Sequence, residues 1–168
     1  HDSNPIKRGL GKLKGRSARV VAINPVRTGY NSIADEWVGI RPGTDGLLVL
    51  SLVHILLKRK KIDLEYLQSF TNAPFLVDIS SNDSNKGLFL RDKDGVPLVV
   101  DHFSGELKRF SDKGVKPSLT KAHSNQYGSF KTVFSLLTEK YLDDAYSPKL
   151  IAPQCGLKEE KILSLAEE

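Results

Sequence analysis

The sequence predicts an α/β fold, a Rossmann-like parallel-sheet unit interrupted by a β-hairpin excursion. Three observations carry this. A short β-branched run, "ARVVAI" at 18–23, stops at "NP", as a buried strand does. After a connection, a helix over 46–60 is apolar nearly all round. Strand, connection and buried helix are the grammar of a parallel α/β unit. Further on, "GLFLRDKDGVPLVVDHFSGELKRF" alternates short strands with "DKDG" and "SG" turns, which reads as the hairpin excursion, with room for a third strand.

The remaining elements follow in order. "NPIKRGLGKLKGRS" reads as a short helix, with Asn4 as N-cap and Pro5 at its first position. In "ADEWVGIRPGTD", Trp37, Val38 and Ile40 form a second short strand. The 46–60 helix carries a narrow polar stripe of Ser51, His54 and Lys58, so it packs on several sides. Its basic end suits the macrodipole, and Asp63 caps the next helix, "LEYLQSF". "DISSNDSNKG" is a polar loop. "FKTVFSLLTEKYL" is an amphipathic helix, and "SPKLIAPQCGLKEEKILSLAEE" is two short helices, with Ser147 capping the first at Pro148 and Gly156 turning left-handed between them. The chain thus divides into a Rossmann-like cofactor-binding part at 1–77, a loop and hairpin excursion at 78–127, and a helical part at 128–168 that completes the same domain.

Composition narrows the class. The 168 residues suit one domain, and 27% charged with 39% hydrophobic residues is globular rather than disordered. The longest apolar run, 47–57, is broken by Ser51 and His54 and falls short of the roughly 20 residues of a membrane span. One cysteine, Cys155, excludes an internal disulfide and any zinc or cluster site built from several cysteines. The net charge of +5 gathers early, in Lys7, Arg8, Lys12, Lys14, Arg16 and Arg19. No aromatic lies among these six, so the patch reads as a solvated face rather than a nucleic-acid surface.

Several motifs reduce to plain structure. "GLGKLKG" precedes the strand and lacks the third glycine of a dinucleotide fingerprint. In "DKDGVP" a calcium loop would need an oxygen ligand at Val96 and a glycine two places beyond Gly95, so a turn is the reading. His54, His102 and His123 have no metal-ligand spacing; His54 reads as a partly buried helix histidine, and Cys155 as a packing residue. No catalytic residue and no metal ligand is nominated.

The connection is more informative. Asn24, Pro25, Arg27 and Thr28 follow a buried strand, and Gly43, Thr44 and Asp45 open a helix. In open α/β sheets both positions lie at the carboxyl edge, where ligands bind. Free N–H groups at a helix start attract an anion such as phosphate, and Arg27 is the natural phosphate partner. Asp45 would repel a phosphate, but its two oxygens match paired donors such as the N1 and N2 edge of guanine. Capping of the helix by Thr44 or Asp45 is the plainer alternative, and both can hold together.

At these residues the chain resembles a known family. "VVAINPVRTGYNSIADEWVGIRPGTDGLLVLSLVHILLKRKKIDLEYLQSFTNAP" and "YLDDAYSPKLIAPQCGLKEEKILSLAEE" are similar to the third, Rossmann-like domain of the molybdopterin oxidoreductases of the dimethyl-sulfoxide-reductase superfamily. The shared run is a strand, a D/N-P-x-R-T turn, an "AD" with a short strand, and P-G-T-D opening a buried helix. The hairpin region matches weakly. The resemblance implies bis(molybdopterin guanine dinucleotide) on molybdenum or tungsten, and a [4Fe-4S] cluster bound outside this segment. By position, Ser3 and Asn4 fall near one dinucleotide arm, Asn24, Pro25, Arg27 and Thr28 beside phosphate and guanosine, and Gly43, Thr44 and Asp45 at the guanine. His1 and Asp2 stand where the family usually has tryptophan and glycine, and Asn24 replaces the commoner aspartate.

The strand expected before Ser3 is missing and there is no methionine, so the expectation is an internal piece of a larger multidomain enzyme, not catalytic by itself. Implied partners are the remainder of the catalytic subunit, an iron–sulfur electron-transfer subunit, and a membrane anchor subunit, with no nucleic acid. "TNAP" and "INPVRTGY" resemble most the subgroups acting on sulfite, polysulfide or thiosulfate. Two alternatives stand beside this reading: a non-catalytic relative that kept the fold, and a small basic nucleic-acid-binding protein. The cellular location is left unknown.

Overall fold

The computed structural model of the chain describes residues 4–27, 29–80, 84–126 and 128–168, and for residues 4–8, 30 and 31 the backbone alone. The helices are α1 (Asn4–Lys14), α2 (Asp45–Lys58), α3 (Leu64–Phe70), α4 (Val133–Tyr141), α5 (Pro148–Cys155) and α6 (Glu159–Leu165). The strands are β1 (Val21–Ile23), β2 (Glu36–Val38), β3 (Leu76–Asp78), β4 (Leu98–Val100), β5 (Leu107–Arg109), β6 (His123–Asn125) and β7 (Gly128–Thr132), with 3-10 turns at Gly29–Ser32 and Asp144–Tyr146. They form two compact units, one of residues 1–56 with 144–168 and the other of residues 57–143, a division that runs differently from the three stretches expected above. No described helix is long and apolar enough to cross a membrane.

In the first unit β1 and β2 pair in parallel, with Val21 opposite Glu36 and Ile23 opposite Val38. Parallel neighbours need a crossover of about a dozen residues, and residues 24–35 supply it. The mixed α/β character therefore stands, and the second strand expected around Trp37 is present. Among the described residues this sheet is two strands wide, so a Rossmann-like sheet is not established.

Behind the pair lies a core of Val38, Ile40, Leu48, Ile55, Ile151, Ala152, Cys155 and Ile162. Residues 48, 51 and 55 of α2 share one face at helical spacing. Ser51 and His54 are accordingly buried with Leu48 and Ile55, while apolar Val49 is 55% exposed. The helix turns part of its polar stripe inward.

The amino edge of the pair is held by charge. Asp35 accepts the Val20 N–H at 2.9 Å and pairs with Lys14 at 3.0 Å. Those contacts, the backbone bond foremost, hold its carboxyl below the usual range. Glu36 pairs with Lys161 and, at 2.6 Å, with Arg19, and is lowered too, chiefly by Lys161. Lys14 and Arg19, two of the early cations, are thus engaged inside the unit.

The second unit is antiparallel. Its three-stranded sheet has the order β3-β7-β6, and β4 pairs with β5 as a hairpin. Three expectations are corrected here and at the amino terminus. Asp78, read as the start of a polar loop, closes β3 and is buried, because Leu76 and Val77 before it take the extended pairing with β7. The helix expected from Phe130 starts at Val133: β7 runs to Thr132, which caps α4 by accepting the Ser135 N–H at 3.1 Å. Helix α1 already includes Asn4, so Asn4 is not its cap.

Other local readings match the structure. Asp63 accepts the Tyr66 N–H at 2.8 Å, and Gly156 is left-handed at φ 72°. Ser147 is the N-cap of α5 by position, without a side-chain cap bond. Asp92 closes the "DKDG" turn by accepting from the N–H groups of Asp94 and Val96, each at 2.9 Å. Asp101 is the most heavily hydrogen-bonded carboxylate of the hairpin. It accepts from the N–H and hydroxyl of Ser104, both at 2.9 Å, and from the Lys116 N–H at 3.1 Å, which holds its carboxyl far below the usual range.

This packing can be probed in two ways. Leu48→Ala or Ile162→Ala should each destabilise the chain by about 2–4 kcal/mol in urea denaturation, because each side chain is almost wholly buried; a change within noise would contradict the core. The depressed carboxylates contribute stability above the ordinary carboxylate range, about pH 4, and lose it as pH falls through their lower folded values. Melting temperature should therefore drop on acidification below that range, and Asp101→Asn should flatten the drop; an unchanged acid limb in the variant would refute the role of Asp101.

Candidate functional site

The first wall of the site is the end of β1. Asn24 continues the ladder by one residue, its N–H donating to the Val38 carbonyl at 3.1 Å. Its side-chain oxygen accepts the Val26 N–H at 3.1 Å, closing a side-chain-mediated turn over Pro25. Its carbonyl accepts the indole N–H of Trp37 at 3.0 Å. The exposed Arg27 follows, with its guanidinium carbon 5.9 Å from the Trp37 ring centroid.

The second wall begins at the end of β2. Arg41, Pro42, Gly43 and Thr44 make a turn in which the Thr44 N–H donates to the Arg41 carbonyl at 3.3 Å. Proline at its second position and glycine at φ 77° at its third match a type II turn, which requires positive φ there. The carboxyl end of α5 holds the turn from behind. The Cys155 carbonyl accepts the Arg41 N–H at 2.9 Å, and the Cys155 thiol approaches the Thr44 carbonyl at 3.7 Å. Cys155 is a fully buried packing residue, as its place in the sequence suggested.

What Thr44 and Asp45 do at this helix start bears on the choice between cap and ligand site. The Thr44 hydroxyl donates backward to the Arg41 carbonyl at 2.7 Å, and the Thr44 carbonyl accepts the Leu48 N–H to begin α2. The Asp45 carboxylate is exposed and forms no hydrogen bond or ion pair with a described residue. The N–H groups of Asp45, Gly46 and Leu47 likewise have no partner among the described residues. A Cβ added at Gly43 or Gly46 would meet nothing within 4 Å, so open space lies beside these groups.

The parallel register brings the two walls to one edge, because both leave the carboxyl ends of paired strands. The described contacts join Asn24, Arg27 and Trp37; none joins these to Gly43, Thr44 or Asp45. Ser3 and Thr28 lie outside the described residues, and Asn4 is described in backbone only, in the first turn of α1. A cavity of about 310 Å³ in the second unit, lined by Asp78, Phe89, Arg91 and Phe130 among others, contains none of the candidate residues. Among the described residues no three His, Cys, Asp or Glu side chains gather as a metal site.

Sequence reasoning missed Trp37, Arg41 and the Cys155 carbonyl as supports of the site. The legible signal was the spacing of Trp37 and Gly39: a Cβ on Gly39 would stand 2.8 Å from the indole, so the glycine leaves room for the ring.

This geometry predicts different behaviour at two neighbouring positions. Gly43→Ala should destabilise the chain by about 1–2 kcal/mol, from the left-handed backbone. Asp45→Asn should cost less than about 1 kcal/mol, since its charge meets only the dipole of the first turn of α2 and no described side chain pairs with it. A large loss in Asp45→Asn would make Asp45 a structural cap.

Over its whole length the chain is 35% identical to a sulfite dehydrogenase subunit of Allochromatium vinosum, and it spans 18% of that protein. Over 51% of its length it is 32% identical to the nitrate reductase alpha chain of Bacillus subtilis, covering 8% of that chain. It is 26% identical over 94% of its length to the formate dehydrogenase major subunit of Haemophilus influenzae, covering 14%. No family model matches the chain. The chain therefore spans less than a fifth of the length of these relatives, and all three are named for oxidoreductases. The chain that carries the strand-end N-P-x-R-T turn and the P-G-T-D helix start thus has molybdopterin oxidoreductase catalytic subunits as its homologues, consistent with the dimethyl-sulfoxide-reductase superfamily.

Proposed function

We propose that this chain is the part of a molybdenum or tungsten oxidoreductase catalytic subunit that holds one arm of a molybdopterin guanine dinucleotide. The observation that carries the reading is the contrast between the two edges of the β1–β2 pair. At the amino edge Asp35 and Glu36 are engaged by cations and backbone. At the carboxyl edge the Asp45 carboxylate and the first N–H groups of α2 have no described partner and face open space.

Those groups fit the cofactor's end chemically. The two Asp45 oxygens accept from the paired N–H donors of guanine, and Gly43 and Thr44 hold Asp45 at a rigid helix start. Arg27 takes phosphate, with Asn24, Pro25 and Thr28 beside the guanosine portion. Ser3 and Asn4 serve the same arm from the amino terminus. The β1–β2 pair is then part of a Rossmann-like sheet, with its ligand at the strand ends.

When bound, the full group, bis(molybdopterin guanine dinucleotide) with its metal, supplies two-electron oxo-transfer or dehydrogenation chemistry. This segment binds and orients that group. The [4Fe-4S] cluster, the metal ligand and the catalytic groups belong to the remainder of the catalytic subunit. The partners that the reading implies are an iron–sulfur electron-transfer subunit, and with it a membrane anchor subunit. The 35% identity to a sulfite dehydrogenase subunit favours an inorganic sulfur compound as substrate.

Asp45→Ala in the whole enzyme tests this. Losing a charge-assisted, paired contact should lower guanine dinucleotide and metal content about tenfold or more, while the protein stays folded by circular dichroism. Wild-type loading would remove Asp45 from the site.

A further inference from the structure

We propose that Trp37 is a positioning residue for this site: it presets the turn at 24–27 for a phosphate-bearing ligand, and Gly39 provides the space its ring needs. The inference rests on the guanine dinucleotide reading above and adds a residue that reading does not use.

Trp37 lies mid-strand but stays 38% exposed, which is unusual for a tryptophan serving only to pack. Its register partner on β1 is Ala22, whose methyl leaves the neighbouring position uncrowded. The indole instead reaches the strand end, where its N–H donates to the Asn24 carbonyl at 3.0 Å. With the Asn24 N–H on the Val38 carbonyl and its side-chain oxygen on the Val26 N–H, three polar groups of Asn24 are fixed at once. Its side-chain NH₂ is then the donor left without a described partner.

The same ring faces Arg27. A guanidinium 5.9 Å from an indole centroid is attracted to the ring, a bias of about two- to fivefold in population at an exposed site. That is too weak to trap the side chain. It is enough to hold Arg27 near the strand end until a stronger anionic partner arrives. The ring can lie there only because residue 39 has no side chain: a Cβ would stand 2.8 Å from its Cη2 and 2.9 Å from its Cζ2. Trp37 therefore acts through Asn24 and Arg27, without itself needing to touch the ligand.

The test measures GDP binding to the full 168-residue chain by equilibrium dialysis, for wild type, Asp45→Ala, Arg27→Ala, Trp37→Leu, Trp37→Phe, Gly39→Ala and the double variant Arg27→Ala with Trp37→Leu. Asp45→Ala, Arg27→Ala and Trp37→Leu should each weaken GDP about tenfold. The double variant should be weakened less than the product of its two single effects, because Trp37 works partly through Arg27. Trp37→Phe, which keeps a ring for Arg27, should recover part of the loss, and Gly39→Ala should reproduce it with the tryptophan still present. Trp37 is the sole tryptophan, so its emission should also shift in Arg27→Ala, a signature that a general loss of packing would not give. Full GDP affinity in Trp37→Leu, with Asp45→Ala and Arg27→Ala weakened, overturns the positioning role and leaves the site reading standing. Independent, multiplicative effects of Arg27 and Trp37 also overturn it. If Asp45→Ala and Arg27→Ala bind GDP like wild type, or wild type binds none, the site reading fails and the positioning role fails with it.

Discussion

Parallel pairing of β1 with β2 is the constraint on which the site depends. Antiparallel strands would send the turn after Ile23 and the turn after Val38 to opposite ends of the pair. Parallel register puts both at one edge, and the crossover at 24–35 makes that register possible. Each strand is only three residues long, so ladder bonds alone are a thin hold. The pair is completed by side chains: Asp35 on the Val20 N–H at one edge and Trp37 on the Asn24 carbonyl at the other.

The helices give that edge its rigidity. Arg41 and Thr44 are fixed between the end of β2 and the carboxyl end of α5, while Leu48 and Ile55 sink α2 into the core shared with Ile151, Ala152 and Ile162. The Pro42-Gly43 turn can therefore present the first turn of α2 without being closed over by it. The buried half of the helix fixes the angle, and the exposed start keeps its donors. Charge follows the same division, with Asp35 and Glu36 paired at the far edge and Asp45 left open at this one.

Much of this was legible in the residues. Asp63 as a cap, Gly156 as a left-handed turn and Trp37 on a second strand all depend on neighbours in the chain, and local signals read them well. The losses came where a distant partner decides. β3 escaped notice because "LVD" is only three residues, with too few alternations to show a period, and its pairing with β7 lies more than fifty residues away. The same pairing extended Phe130 and Lys131, which read as helix by their apolar spacing. Burial of Ser51 and His54 was set by which face of α2 the core takes, and hydropathy alone does not choose it. At the site, motif and chain position nominated Asn24, Arg27 and Asp45, while Trp37 and Cys155 act by contacts across 13 and 111 residues.

The central claim is that guanine sits at the carboxyl edge of the β1–β2 pair. Photocrosslinking the whole enzyme's cofactor with guanine replaced by 6-thioguanine, followed by peptide mapping, tests it most directly. The account predicts that any crosslink within this chain falls in 24–45, at the strand-end turn and the start of α2. Labelling concentrated instead in 85–91, beside the cavity of the second unit, would contradict it.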